Sequence, residues 1–173
     1  MAEVRKGAIK FKGNPMSLVG KEVKVGDVAP AFTLTDNGMQ AVTLASSAGK
    51  VRLISVVPSL DTPVCDLQTA KFNEAAAKFP ANVEVLTVSL DLPFAQKRWC
   101  GAKSATHVKT LSDYKDRNFG TGWGLLIDEL KLLARAVYVV DAKDKVVYAQ
   151  VVSEVTEHPD YDKAVSAVQA AAK

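Results

Sequence analysis

The chain has 173 residues, of which 48% are hydrophobic and 24% charged, with a net charge of +3. That length suits one domain over residues 1–173 with a buried core of its own, and the composition excludes a disordered or membrane-embedded class. The basic residues are scattered: the densest group is Arg5, Lys6, Lys10 and Lys12, whose last three alternate as on the outer face of a strand. This reads as a solvated face, so no nucleic-acid partner is expected.

The opening Met-Ala-Glu-Val-Arg-Lys has no apolar core of the kind a secretory signal needs. The longest apolar stretches are cut by Arg52, Ser55, Asp91 and Asp141, far short of a membrane span. The expectation is a cytoplasmic chain with no membrane partner.

In chain order, Gly13-Asn14-Pro15 is a turn signal that makes residues 8–12 and 16–19 a hairpin. Extended segments at 28–34 and 41–44 flank a second turn, Asp36-Asn37-Gly38. Three near-continuous apolar runs follow, Val51–Val57, Val83–Leu90 and Ala136–Val140, which suit strands covered on both faces by helices. Helical spacing marks Pro63–Phe79, with Phe72, Ala75, Ala76 and Phe79 on one stripe, then Leu92–Cys100, and finally Tyr161–Ala172. Asp141-Ala-Lys-Asp-Lys joins two strands as a tight hairpin. The order predicts an α/β fold, a mixed central sheet flanked by helices with an N-terminal β-hairpin, as in thioredoxin-like folds.

Two cysteines are too few for a disulfide scaffold, which leaves inert buried thiols, metal ligands or redox chemistry. With only His107 and His158 to add, no metal site has the usual ligand spacing. Gly120-Thr-Gly-Trp-Gly lacks the preceding strand and spacing of a nucleotide loop, and Gly49-Lys50 lacks the rest of a phosphate loop. There is no Cys-x-x-Cys.

The informative segment is Val57-Pro-Ser-Leu-Asp-Thr-Pro-Val-Cys65, where a buried strand passes into a helix. Thr62 followed by Pro63 fits an N-cap and the first helical position. Cys65 then falls in the first turn, where unpaired N–H groups and the helix dipole favour an anion, and a thiolate is the nucleophilic form. The same spacing puts Cys65 on the face of Phe72, at the floor of a pocket. A lone cysteine on an apolar face is as a rule a packed core thiol. Spacing and capping alone leave the two readings level.

Pro58, Thr62 and Cys65 form Pro-x-x-x-Thr-x-x-Cys, which resembles the signature of the peroxiredoxins, and the wider Pro-Ser-Leu-Asp-Thr-Pro-Val-Cys is similar to their bacterial thiol peroxidase branch. Asp91-Leu-Pro-Phe-Ala-Gln-Lys-Arg-Trp-Cys100 resembles that branch's resolving-cysteine segment, and Leu133-Ala-Arg135-Ala-Val-Tyr-Val-Val-Asp the strand carrying its arginine. The resemblance covers essentially the whole chain. It implies a peroxidatic Cys65, a Thr62 hydroxyl that holds peroxide and thiolate, a Pro58 that shields the sulfur, and an Arg135 that stabilises the transition state. Without the motif, Arg135 would be read as a strand-end arginine paired with a surface carboxylate.

The implied reaction is attack of sulfur on a hydroperoxide, giving a sulfenic acid that Cys100 condenses into a disulfide. No metal or organic cofactor is needed. Cys100 lies 35 positions after Cys65, and a disulfide needs Cα atoms within about 7 Å. Local unwinding of both segments is therefore expected. Thioredoxin as reductant and a homodimer follow from the resemblance alone, as does a preference for bulky organic hydroperoxides with Phe94 and Trp99 as wall residues. The rival from another class is a non-catalytic thiol redox sensor.

Overall fold

A computed structural model describes residues 2–173; Met1 lies outside them. Strand β1 (Val4–Phe11) passes into β2 (Asn14–Val19) through Lys12 and Gly13, at φ 50° and 81°. The turn therefore falls one residue earlier than Gly13-Asn14-Pro15, because Phe11 pairs with Asn14 and Lys10 with Pro15. A two-residue hairpin turn of this kind needs both central residues in the left-handed region, and Gly13 adopts it freely. The register shifts between Arg5 and Ile9, so the lysines do not share one uninterrupted strand face.

The segment expected as a strand over 28–34 is ordered into one only at β3 (Thr33–Thr35), which pairs with β4 (Ala41–Thr43). Val28 makes an isolated bridge to Lys145 and stays exposed. Between β3 and β4 the Asp36 carboxylate accepts from the Gly38 and Gln40 amides at 2.8 and 2.9 Å, closing the expected turn.

The apolar runs become β5 (Val51–Val56), β6 (Val83–Ser89) and β9 (Ala136–Val140). With β7 (Lys109–Ser112) and β10 (Val146–Val151) they form a seven-stranded mixed sheet, ordered β10-β9-β5-β6-β7-β3-β4. β5, β6 and β7 run parallel, while β9 runs antiparallel to β5 and β10 to β9. β1, β2 and the short β8 (Leu126–Ile127) make a second sheet. β7 was missed because Lys109-Thr-Leu-Ser is too short and polar to stand out; its neighbours in the sheet make it a strand.

Successive residues of the central strands enter different cores. Leu53, Val137 and Val139 pack with Phe72, Ala164 and Val168 from α1 (Pro63–Ala76) and α4 (Tyr161–Ala171). Ile54, Val56, Tyr138 and Val140 pack on the other face with Ile9, Leu18, Phe119 and Trp123. Both faces are buried, as the runs required, but the long helices α1, α2 (Pro93–Lys103) and α4 contribute to one cluster only. The expected second helical layer is instead the N-terminal hairpin, loops and the five-residue α3 (Asn118–Gly122). No helix among the described residues is long and apolar enough to cross a membrane.

The first and last glycines of Gly120-Thr-Gly-Trp-Gly serve packing, whereas Gly122 faces open space. A Cβ on Gly120 would sit 2.7 Å from the Leu133 side chain, and Gly124, at φ 66°, would meet the Lys21 carbonyl at 2.4 Å.

Candidate active site

Where β5 ends, the chain crosses to α1 through a loop pinned by one carboxylate. Asp91 accepts from the Ser59 hydroxyl at 2.7 Å, the Leu60 amide at 2.8 Å and the Ser89 hydroxyl at 2.7 Å. Thr62 is the N-cap by backbone (φ −108°, ψ 148°) and Pro63 the first helical residue. Its hydroxyl, however, makes no cap bond and donates to the Ser59 carbonyl at 3.0 Å. The cap expected from sequence is thus a backbone feature, with the side chain committed to the loop.

Cys65 has no exposed surface and lies in the apolar cluster with Val57, Leu60 and Phe72, the face that helical spacing indicated. Its carbonyl accepts from the Thr69 hydroxyl at 2.8 Å. A cavity of about 260 Å³ opens at this end of α1, lined among others by Pro58, Thr62, Val64, Arg135, Phe11 and Val155. Pro58, Thr62 and Arg135 therefore meet at one cavity, while Cys65 is buried one residue beyond Val64. Phe94 and Trp99 do not line it: Phe94 is exposed and Trp99 packs between helices. The side walls come from the N-terminal hairpin and the segment after β10, which sequence distance concealed.

Arg135, just ahead of β9, is 2% exposed. Its Nε donates to the Val155 carbonyl at 2.8 Å and its Nη1 to Gln68 Oε1 at 3.0 Å. Gln68, one helical turn after Cys65 and wholly buried, donates in turn to the Ser55 hydroxyl at 2.8 Å. Among the described residues Arg135 pairs with no carboxylate. Burying an unpaired cation is costly, which is reason to expect an anion as its partner in function. The hairpin helps hold it: Lys10 exchanges backbone bonds with Ser153 at 2.7 Å and Val155 at 2.9 Å. Burial pushes the Tyr161 phenol up, the Arg135 charge pulls it down and Cys65 adds to the rise, so one α4 side chain feels both groups.

Cys100 has different surroundings. It sits half-buried within α2, which runs one turn past the expected end and closes on Ser104 in the left-handed conformation. Its sulfur lies 3.4 Å from the Thr110 hydroxyl and 3.9 Å from Asn37 Nδ2, and Thr110 donates to Asn37 Oδ1 at 2.9 Å. Both thiols are free.

Sequence reasoning missed Gln68 and Asp91. A signal existed for Gln68, an amide three residues after Cys65 on the inward helix face shared with Phe72; for Asp91 the loop partners Ser59 and Leu60 lie 32 and 31 residues away, and no local pattern marks them.

The redoxin family profile matches residues 24–165. The chain is 62% identical over 164 residues to a thiol peroxidase of Halalkalibacterium halodurans, covering 95% of this chain and 98% of the relative. It is 56% identical over 165 residues to the thiol peroxidase of Bacillus subtilis, with the same coverage. Among solved structures, a peroxiredoxin-like protein from Aquifex aeolicus superposes with a TM-score of 0.89 at 42% identity, over 96% of this chain and 98% of that one. The thioredoxin-like, mixed-sheet fold is common to them, and with identity of this extent over nearly the full length the chain belongs to the redoxin family, as one of its thiol peroxidases.

Proposed function

We propose that Cys65 is the peroxidatic nucleophile and Cys100 the resolving one. The observation that carries this reading is Arg135: a buried guanidinium without a carboxylate, opening onto the same cavity as Pro58 and Thr62 at the start of the Cys65 helix. Its bonds engage Nε and Nη1, which leaves Nη2 for a reacting anion.

In the first step the Cys65 thiolate attacks the terminal peroxide oxygen. The O–O bond breaks, sulfur is oxidised to the sulfenic acid, and the leaving alkoxide takes a proton to become the alcohol. Negative charge spreads from sulfur towards the leaving oxygen, and a fixed guanidinium beside that path lowers the barrier. Thr62 takes part by turning its hydroxyl from the Ser59 carbonyl towards the peroxide, where it can donate and accept at once. Pro58, with no N–H to offer, helps keep the wall of the cavity dry. In the second step the Cys100 thiol displaces water from the sulfenic acid, forming the Cys65–Cys100 disulfide. Both sulfurs lie in helical segments with separate partners, so residues 60–67 and 92–102 unwind to meet. Thioredoxin then reduces the bond by exchange.

The apolar walls supplied by Phe11, Val64 and Val155 favour an organic hydroperoxide over hydrogen peroxide. The same reading takes the chain as one cytoplasmic domain working as a homodimer, which sedimentation would test. The deciding experiment is continuous consumption of hydroperoxide and NADPH with thioredoxin and its reductase. Sustained turnover that vanishes in Cys65→Ser supports the enzyme; a single stoichiometric reaction supports a sensor.

A further inference from the structure

The residues next to the two cysteines are joined to each other. Asp66, directly after Cys65, accepts from the Trp99 indole N–H at 2.7 Å, and Trp99 directly precedes Cys100. The other Asp66 oxygen accepts from the Lys103 ammonium at 3.1 Å, one turn further along α2. Trp99 is 7% exposed and the Asp66 side chain 30%. A nearby pair, Arg98 with Asp61 at 3.7 Å, is more than two-thirds exposed on both sides and adds little.

Neighbouring residues of an α-helix point about 100° apart. While Asp66 holds Trp99, Cys65 is therefore turned into the apolar cluster, and Cys100, packed against the edge of that cluster, points its sulfur towards Asn37 and Thr110. Joining the sulfurs requires both helices to turn or unwind at these positions, and the Asp66 contacts cannot survive that. They are charge-assisted bonds, among the stronger polar contacts a half-buried site offers.

We propose that Asp66 is a positioning residue for the resolving step, whose carboxylate latches α2 to α1 through Trp99 and Lys103 and so limits how fast Cys100 reaches oxidised Cys65. The inference rests on the assignment of Cys65 and Cys100 made above. The latch acts on the step Cys65–SOH + HS–Cys100 → disulfide + water. While it holds, the sulfenic acid persists and can react with a second hydroperoxide, giving the sulfinic acid and one more alcohol. The latch thus lowers turnover and raises loss by over-oxidation together.

The test is rapid-quench mass spectrometry of the reduced full chain mixed with cumene hydroperoxide, counting sulfenic acid, disulfide and sulfinic acid over time. Trp99→Phe keeps the ring but removes the donor. It should leave sulfenic acid formation unchanged, accelerate disulfide formation about tenfold and lower the sulfinic fraction at excess peroxide. Lys103→Met should accelerate the same step by about twofold, since that contact is half-exposed. Asp66→Asn, which weakens both contacts, provides a second reading if Trp99→Phe unfolds or alters the first step. Disulfide formation that is unchanged or slower in the folded variants would overturn the latch. Absence of any Cys65 sulfenic acid in the parent chain would overturn the cysteine assignment instead.

Discussion

Cys65 is enclosed by Val57, Leu60 and Phe72, and Gln68, one helical turn away, bonds a caged guanidinium, whereas Cys100 is half-buried beside a polar pair, Asn37 and Thr110. The first thiol sits where desolvation and fixed donors strengthen electrostatics, as attack on a peroxide requires. The second sits beside small polar side chains, on a helix held to α1 through Asp66. Both residues are helical cysteines of one chain. In the proposed mechanism, chemistry is concentrated in the enclosed site, and delivery falls to a helix whose hold on α1 runs through Asp66.

The hardest test of that contrast is to remove each thiol in turn. Cys65→Ser should lower the thioredoxin-coupled rate by at least about a thousandfold. Cys100→Ser should still consume about one equivalent of hydroperoxide in a single-turnover assay but fail to cycle; equal single-turnover losses from both changes would erase the distinction.

Next in size is the cage. Arg135→Met should lower the rate of sulfenic acid formation by about a hundredfold, read by stopped-flow. Gln68→Ala, which frees Arg135 Nη1 without removing the charge, should cost about tenfold on the same step. If Gln68→Ala cost as much as Arg135→Met, positioning rather than charge would dominate.

Asp113 provides a comparison away from both thiols. It is 1% exposed, and burial pushes its carboxyl up to about 6 against the downward pull of the Gly120 and Phe119 amides, which donate at 2.8 and 3.1 Å. Between its ordinary value near 4 and about 6, the folded chain keeps a proton that the unfolded chain has lost. Stability from this group is therefore present at low pH and falls as pH rises through that window, by up to about 3 kcal/mol. Thermal unfolding from pH 4 to 7 should show this slope, and Asp113→Asn should flatten it while leaving sulfenic acid formation unaltered.

The smallest effect belongs to the polar surroundings of Cys100. Thr110→Val removes the hydroxyl beside the sulfur and should cost about 1 kcal/mol or less in stability, with no change in the first step. A large loss in peroxide attack would mean that the two thiol sites are coupled through the sheet.

The apolar runs at 51–57, 83–90 and 136–140, the Thr62-Pro63 helix start and the inward face shared by Cys65 and Phe72 were all readable in the sequence, because period and capping are local. So was the peroxidase signature, which names Pro58, Thr62, Cys65, Cys100 and Arg135 by pattern. The short strand at 109–112 was not, since its identity comes from its neighbours in the sheet. Nor was the cage around Arg135: Gln68, Val155 and the hairpin reach it from 67 positions before and 20 after, and from the opposite end of the chain. Sequence alone determined which residues are candidates for sulfur chemistry and which strands must be buried. Only the tertiary structure decided what surrounds each thiol, because hydrogen bonds and burial depend on partners that no local pattern brings together, and on that difference in surroundings rests the proposed division between an attacking cysteine and one that travels.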